Sequence, residues 1–234
     1  MTEHNEPHDG SLAARLNWLR AGVLGANDGI VSTAAIVVGV AGASSSRSAI
    51  LTAGLAGLFA GAMSMAAGEY VSVSTQRDTE QAMLALERRE LAETPQAELA
   101  ELAGIYQSKG LTEELAHEVA VQLTEHDALG AHAEAELGID PDDLTNPWHA
   151  ALASFVAFTV GAVLPPLAIV LSPESWRIGL TFATVVAALM ITGSISAGLG
   201  QADRWPAVRR NVIGGVLAML VTYGVGLAAG GLGV

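Results

Sequence analysis

The chain has 234 residues, of which 51% are hydrophobic and only 15% are charged, and its formal net charge is −13. Soluble proteins carry about 25% charged residues, so this composition points to a membrane protein. The acidic balance argues against nucleic acid as a partner, and the absence of cysteine excludes disulfides and thiolate metal sites.

Five long apolar runs predict five transmembrane helices, because a bilayer-spanning helix needs about 20 such residues. The runs cover residues 21–42, 49–73, 149–171, 178–200 and 211–233. The first is too long for the apolar core of a signal peptide and contains Asp28, and Pro165–Pro166 predicts a kink in the third. The chain is thus divided into a polar N-terminal tail (1–20), spans one and two (21–75), an insert (76–147) and spans three to five (148–234).

The insert holds the net charge of the chain. It contains 17 acidic and 4 basic residues, whereas the rest of the chain has 7 of each. Such an acidic segment favours cations as partners and disfavours anionic lipid.

Three helices are predicted in the insert. No proline interrupts the chain from Ile50 to Glu93, which predicts that the second span continues as one helix of roughly 66 Å. Thr94–Pro95 would end it and begin a second helix with Thr94 as the N-cap, which ends at Lys109–Gly110. A third helix would open at Thr112 and reach Leu137–Gly138. Because so small a module is not very stable alone, we expect it to dimerise or to be held together by metal.

The basic residues predict the orientation. With the N-terminus in the cytoplasm, nine arginines and lysines lie inside and two, Arg47 and Arg177, lie outside, in agreement with the positive-inside rule. The insert is then cytoplasmic and the C-terminus is outside.

Two pairs of glutamates in the insert have i,i+3 spacing, which places both carboxylates of a pair on one helix face. The pairs are Glu87 with Glu90, and Glu98 with Glu101. They could converge on a divalent cation, or they could form a solvated helix face on which Arg88 and Arg89 neutralise them. Further candidate ligands of the third helix, equally ambiguous, are His117, Glu118, His126, Asp127, His132, Glu134 and Glu136.

Two acids lie within or at the edge of the spans, where a charge is costly and points to a function. Asp28 is about two turns into the first span, and Glu69 is near the cytoplasmic end of the second. Met65 precedes Glu69 by four residues and shares its face. Its thioether beside carboxylates would favour a transition-metal ion over Mg2+ or Ca2+.

Three stretches are distinctive in combination: LRAGVLGANDGIVSTAAIVVGVAGA, AGLFAGAMSMAAGEYVSVSTQRDTE and HDALGAHAEAELGI. They resemble the vacuolar iron transporter family. The resemblance runs from about Leu16 to the C-terminus, and five spans with an acidic insert after the second match the family plan.

The resemblance implies a homodimeric exporter of Fe2+, and often of Mn2+, that exchanges the ion for protons along a path between the subunits. The family's membrane aspartate and methionine match Asp28 and Met65, to which we add Glu69 as a path residue. Its cytoplasmic metal ligands match Glu87, Glu90, Glu98, Glu101 and Glu136, with Glu134 as a further candidate. Family members can present a Met–Glu cluster where this chain has His132-Ala133-Glu134-Ala135-Glu136, so the role of His132 stays open. No prosthetic group and no enzymatic activity are expected.

Two alternatives belong to other functional classes. Glu-x-x-Glu pairs on a helical bundle also resemble a di-iron carboxylate centre, which could oxidise Fe2+. A metal sensor or membrane scaffold without transport is the other, although Asp28 within a span argues against it, because a scaffold would not need that acid. The chain contains ten arginines and one lysine, a bias that weakly suggests a GC-rich bacterium and hence the bacterial inner membrane.

Overall fold

The computed structural model describes the backbone of residues 10–232 and the side chains from residue 22 onward. Within this range the regular elements are helical. They are α1 (Gly10–Ala43), α2 (Arg47–Glu93), α3 (Pro95–Ser108), α4 (Glu113–His132), a π-helical turn (Ala133–Leu137), α5 (Pro147–Ala162), α6 (Leu164–Leu171), α7 (Arg177–Leu199) and α8 (Arg204–Gly231). The chain forms two compact units: the membrane unit, up to Glu69 and again from Trp148, and the insert unit, Tyr70–Pro147.

Among the residues that the structure describes, five helical segments are long and apolar enough to cross a membrane, which confirms the predicted number. They are Gly22–Ala43, Arg47–Glu93, Pro147–Leu171, Arg177–Leu199 and Arg204–Gly231. The helices extend beyond the apolar runs, because polar residues at a helix end continue the backbone hydrogen bonding. α1 therefore begins within the stretch predicted as a polar tail, of which residues 1–9 lie outside the described residues. The predicted kink is present: α5 ends at Ala162, and α6 begins one residue before Pro165–Pro166.

α1 is the central helix of the membrane unit. Its buried side chains join those of α2, α6, α7 and α8 in one core, made by Ile30, Ala34, Val37, Val38, Ile50, Ile169, Val185, Leu189 and Met219. α1 crosses α5 so closely that a Cβ on Gly29 would overlap the carbonyl oxygen of Phe158, and one on Gly161 would overlap that of Ala26. Such close crossings are typical of membrane helices, because small residues let the backbones pack directly.

Two short loops of the membrane unit are tied together by arginines. The Nη1 of Arg177 donates to the carbonyl of Ser45 at 2.9 Å, and the Nη2 of Arg47 donates to the carbonyl of Ser172 at 3.1 Å. Arg177 is buried, and its guanidinium satisfies one backbone carbonyl of the α1–α2 loop. These bonds connect the α1–α2 loop with the α6–α7 loop.

The insert unit consists of the C-terminal part of α2, then α3, α4 and the π-helical turn. α3 packs on α4 through Leu102, Ala103 and Ala120. The helix ends agree with the sequence: α2 ends at Glu93, and Gly110 after α3 has a φ of +104°. α4 has Thr112 as its N-cap, and Gly138, with a left-handed φ of +65°, follows the π-helical turn. Glycine adopts this conformation without steric penalty.

Thr94 does not cap α3 as predicted. It occupies the N-cap position, but its side chain makes no capping hydrogen bond. Instead its Oγ1 donates to the carbonyl of Glu90 at 3.0 Å, in the last turn of α2. The first N–H groups of α3, at Ala97 and Glu98, donate to the backbone carbonyl of Thr94. They therefore need no side-chain cap, and the Thr94 hydroxyl bonds to the end of α2 instead.

Candidate metal centre

Three side chains from three helices of the insert unit converge at one buried point. Glu87 lies on α2, Glu98 lies in the first turn of α3, and His132 is the last residue of α4. The three residues are 3%, 7% and 0% exposed, and one ligand atom from each lies within 4.8 Å of the others. Carboxylates are rarely this buried unless they are paired or bind a metal ion. This group is called the buried cluster below.

Carboxylate oxygens gather around the Nδ1 of His132. This nitrogen lies 3.0 Å from Oε1 of Glu87, 3.8 Å from Oε2 of Glu98 and 3.9 Å from Oε2 of Glu136. None of these contacts is a hydrogen bond, because Oε1 of Glu87 and both ring nitrogens of His132 are buried without a hydrogen-bond partner. The ligand atoms are therefore close together without satisfying one another, which is unusual for buried polar groups.

The turn at Thr94–Pro95 brings the two glutamate pairs together. α2 ends one residue before Thr94, and Pro95 begins α3 at the position where its missing N–H and fixed φ are tolerated. Thr94 also donates to Oε1 of Glu98 at 3.4 Å. This contact helps to orient the Glu98 carboxylate, whose other oxygen is the one nearer His132.

The π-helical turn after α4 brings Glu136 toward the same point. In residues 133–137 the backbone widens to i→i+5 bonding, which shifts the side chains relative to a regular α-helix. The Glu136 carboxylate then lies one turn beyond His132 and remains one-third exposed. Short π-helical segments of this kind are frequent at functional sites, and this one supplies a fourth side chain next to the buried cluster.

The carboxylates repel one another in the absence of a cation. Both groups with a raised pKa lie outside the membrane spans. Glu87 lies on α2 beyond its apolar run, which ends near residue 73, and Glu136 lies in the π-helical turn. Burial, and then the charges of Glu136, Glu98, Glu90 and Glu101, raise the pKa of Glu87 to about 7. Burial and the charge of Glu101 raise the pKa of Glu136, an effect that His132 partly opposes. The positive charge of a divalent ion would offset this repulsion and would favour the deprotonated form of the carboxylates.

In each of the two predicted glutamate pairs, the two members differ in their exposure to solvent. Within each pair the first glutamate is buried, whereas Glu90 is half-buried and Glu101 is exposed. Both still contribute to the field at Glu87. Arg88 and Arg89 are exposed, and among the described residues neither forms an ion pair with a glutamate. The solvated-face interpretation therefore does not account for the buried members of the pairs.

Glu134 lies apart from the buried cluster. It is exposed and lines a different cavity of about 530 Å³. Polar side chains that share this cavity are His126, Asp127, Asp140 and Asp142. The family resemblance favoured Glu136 over Glu134 as a ligand, and in the structure the π-helical turn places Glu136, not Glu134, beside His132.

In the membrane unit, Asp28 and Met65 line one cavity of about 550 Å³. The predicted path residue Glu69 is half-buried and is not among the residues that line it. The polar lining also includes Asn27, Arg210 and Asn211, which sequence reasoning did not select. The sequence analysis used Arg210 only to predict the orientation of the chain. Its position one to two turns into α8 could have indicated a charged residue near the membrane path.

The di-iron alternative expects Glu-x-x-His pairs as well as Glu-x-x-Glu pairs. The insert contains one such pair, Glu114 with His117. Both residues are exposed on α4, away from the buried face that carries Ala116 and Ala120. This pair therefore adds no ligand to the buried cluster.

Comparisons with known proteins identify the family of the chain. The model of the VIT family matches residues 19–227. A protein of Acanthamoeba castellanii named vacuolar iron transporter is 45% identical over 94% of this chain and 82% of its own length. Vacuolar iron transporter homolog 5 of rice is 38% identical over 92% of this chain and 81% of its length, and homolog 4 of Arabidopsis thaliana is 36% identical over 90% and 83%. The chain belongs to the VIT family and is an integral membrane protein.

Proposed function

We propose that this protein exports a divalent transition-metal ion, Fe2+ or Mn2+, from the cytoplasm in exchange for protons. The observation that carries the proposal is the buried cluster of two glutamates and a histidine within the acidic insert. Buried, unpartnered ligand atoms that belong to an integral membrane protein of a transporter family suit the capture of a cation before it crosses the membrane.

Capture is the first step. The insert carries 17 acidic residues against 4 basic ones, so its field raises the concentration of cations near the membrane. Glu87 and Glu98 bind the ion directly, and Glu90, Glu101 and Glu136 add negative charge around it. The position of Glu134 in another cavity favours a role for it outside this first binding event.

Translocation is the second step and uses the membrane unit. Asp28 and Met65 share one cavity, and a carboxylate with a thioether suits a transition-metal ion better than Mg2+ or Ca2+. Glu69 lies in the following turn of α2 after Met65, at the cytoplasmic end of the path. Protonation of these carboxylates weakens metal binding, because the ligands bind in their deprotonated form. A proton gradient directed inward then drives release on the outer side.

A homodimer would complete the path. Asp28 is exposed in the isolated chain, and so is Leu24, which lines the same cavity. A carboxylate within a span is costly against lipid and normally faces protein or a water-filled cavity. A second copy of the chain that covers this face would enclose the two Asp28 carboxylates between the subunits.

The proposed orientation places the N-terminus and the insert in the cytoplasm and the C-terminus outside, supported by the excess of arginines on the inner side. The bacterial inner membrane is the proposed location. The ion is the substrate, and no prosthetic group takes part.

Transport into proteoliposomes tests the proposal. Asp28→Ala should abolish Fe2+ and Mn2+ movement, with and without a pH gradient, whereas Glu174→Gln, an exposed acid in the α6–α7 loop, should leave it unchanged. Full transport by Asp28→Ala would refute the assigned path. Fe2+ oxidation by the wild type without any transport would favour the ferroxidase alternative.

A further inference from the structure

His132 is the most deeply buried member of the cluster and the one without a role in the proposed transport. It is 0% exposed, and neither ring nitrogen has a hydrogen-bond partner. Nearly all buried polar side chains have a partner. An imidazole that faces carboxylates and forms a hydrogen bond with none of them is therefore suited to bind a ligand between them.

The distances around Nδ1 match those between ligands of a shared metal ion. Ligands about 2.1 Å from an ion lie about 3.0 Å apart at adjacent octahedral positions and about 3.4 Å apart in a tetrahedron. The Nδ1 of His132 lies 3.0 Å from Glu87 and 3.8 Å from Glu98, so small side-chain movements would place both carboxylates and the imidazole around one ion. A single proton on Nδ1 could serve only one of these oxygens.

We propose that His132 binds the captured ion directly through Nδ1, and that this nitrogen makes the insert selective for transition-metal ions over Mg2+ and Ca2+. The inference rests on the proposed function in one respect only, namely that the bound ligand is a divalent cation. Carboxylates alone suit the hard ions Mg2+, Ca2+ and Mn2+, whereas imidazole suits Fe2+, Zn2+ and Ni2+. Because Mg2+ is abundant in cells, a purely carboxylate site would be exposed to constant competition.

Ligation through Nδ1 fixes the tautomer of the ring. The proton is then on Nε2, and the imidazole is neutral. The competing arrangement is a protonated His132 that serves as a counter-charge for Glu87 and Glu136 without touching the ion. The two arrangements differ in a measurable way, because only the first places an imidazole ring in contact with the metal.

Metal binding to the full chain in detergent tests the proposal. Affinities for Co2+, an air-stable substitute for Fe2+, and for Mg2+ are measured by equilibrium dialysis for the wild type, His132→Gln and His117→Gln. His132→Gln keeps a polar side chain of similar size but removes the imidazole, and His117 is an exposed histidine on the same helix. We expect His132→Gln to weaken Co2+ binding on the order of tenfold or more and to change Mg2+ binding little. The His117→Gln control should match the wild type.

X-ray absorption of the wild type with one equivalent of Co2+ provides a readout that does not depend on the variant folding. The outer-shell scattering of an imidazole ring should be present and should disappear in His132→Gln. Its absence from the wild type, or an equal loss of Co2+ and Mg2+ affinity in His132→Gln, would overturn the inference in favour of a charged or merely structural histidine. Since these measurements involve no transport, failure of Fe2+ export would overturn the proposed function without touching His132.

Discussion

Replacing Glu87 by glutamine should stabilise the metal-free insert at pH 8 while weakening its metal binding. The pKa of Glu87 rises from 4.5 to about 7 on folding, through burial and the charges of Glu136, Glu98, Glu90 and Glu101. At about 1.4 kcal/mol per pH unit this corresponds to about 3 kcal/mol. Because the folded state raises the pKa, the fold is most stable when Glu87 is protonated, and stability is lost as the pH rises from 4.5 through 7. Glutamine resembles the protonated form and avoids this loss.

Hydrogen exchange of amides in α3 and α4 measures the effect locally, which suits a small unit that can open without the rest of the chain. In chelator at pH 8, we expect protection in Glu87→Gln to increase by up to about 3 kcal/mol, with little difference at pH 4.5. Adding metal should increase protection strongly in the wild type and much less in the variant, because bound ligand stabilises the folded state. Glu93→Gln, an exposed acid one and a half turns further along α2, should behave as the wild type.

A decrease in protection of metal-free Glu87→Gln at pH 8 would refute this reasoning. It would mean that the Glu87 carboxylate makes a stabilising contact, such as an ion pair with a protonated His132, that outweighs its burial and repulsion. An equal gain at pH 4.5 and pH 8 would point instead to a better packed side chain with no electrostatic origin.

Two further predictions concern pH and helix packing. The metal affinity of the insert should fall by about tenfold per pH unit below pH 7, because the ion must displace a proton from Glu87. Equilibrium dialysis between pH 5.5 and 8 measures this affinity. An affinity that does not change with pH would contradict a raised pKa at a metal ligand. Gly161→Ala should lower the thermal stability of the full chain in detergent, because its Cβ would overlap the carbonyl of Ala26 on α1, whereas Gly198→Ala, with open space around it, should leave the midpoint within a degree or two; equal midpoints would show that α1 and α5 can separate at little cost.

The helices and their ends were accessible from the sequence because they depend on neighbouring residues. The length of an apolar run predicts a span, Pro95 and Gly110 mark the ends of helices, and Pro165–Pro166 marks a break. These signals require no knowledge of distant contacts. They led to five spans and to helix boundaries within the insert that agree with the structure at Glu93, Gly110 and Gly138.

The composition of the candidate site depends on contacts between residues far apart in the chain. Spacing made Glu87 and Glu90 equivalent, and likewise Glu98 and Glu101, but packing of three helices buried only the first of each pair. The resemblance already favoured Glu136 over Glu134, but the contact of Glu136 with His132 depends on the π-helical turn. Charge, hydrophobic length and helix ends are local properties that a sequence by itself determines. Which side chains meet, and which of them lose their water, is decided only when α2, α3 and α4 pack together and bring residues 87 and 132 within 3.0 Å of each other.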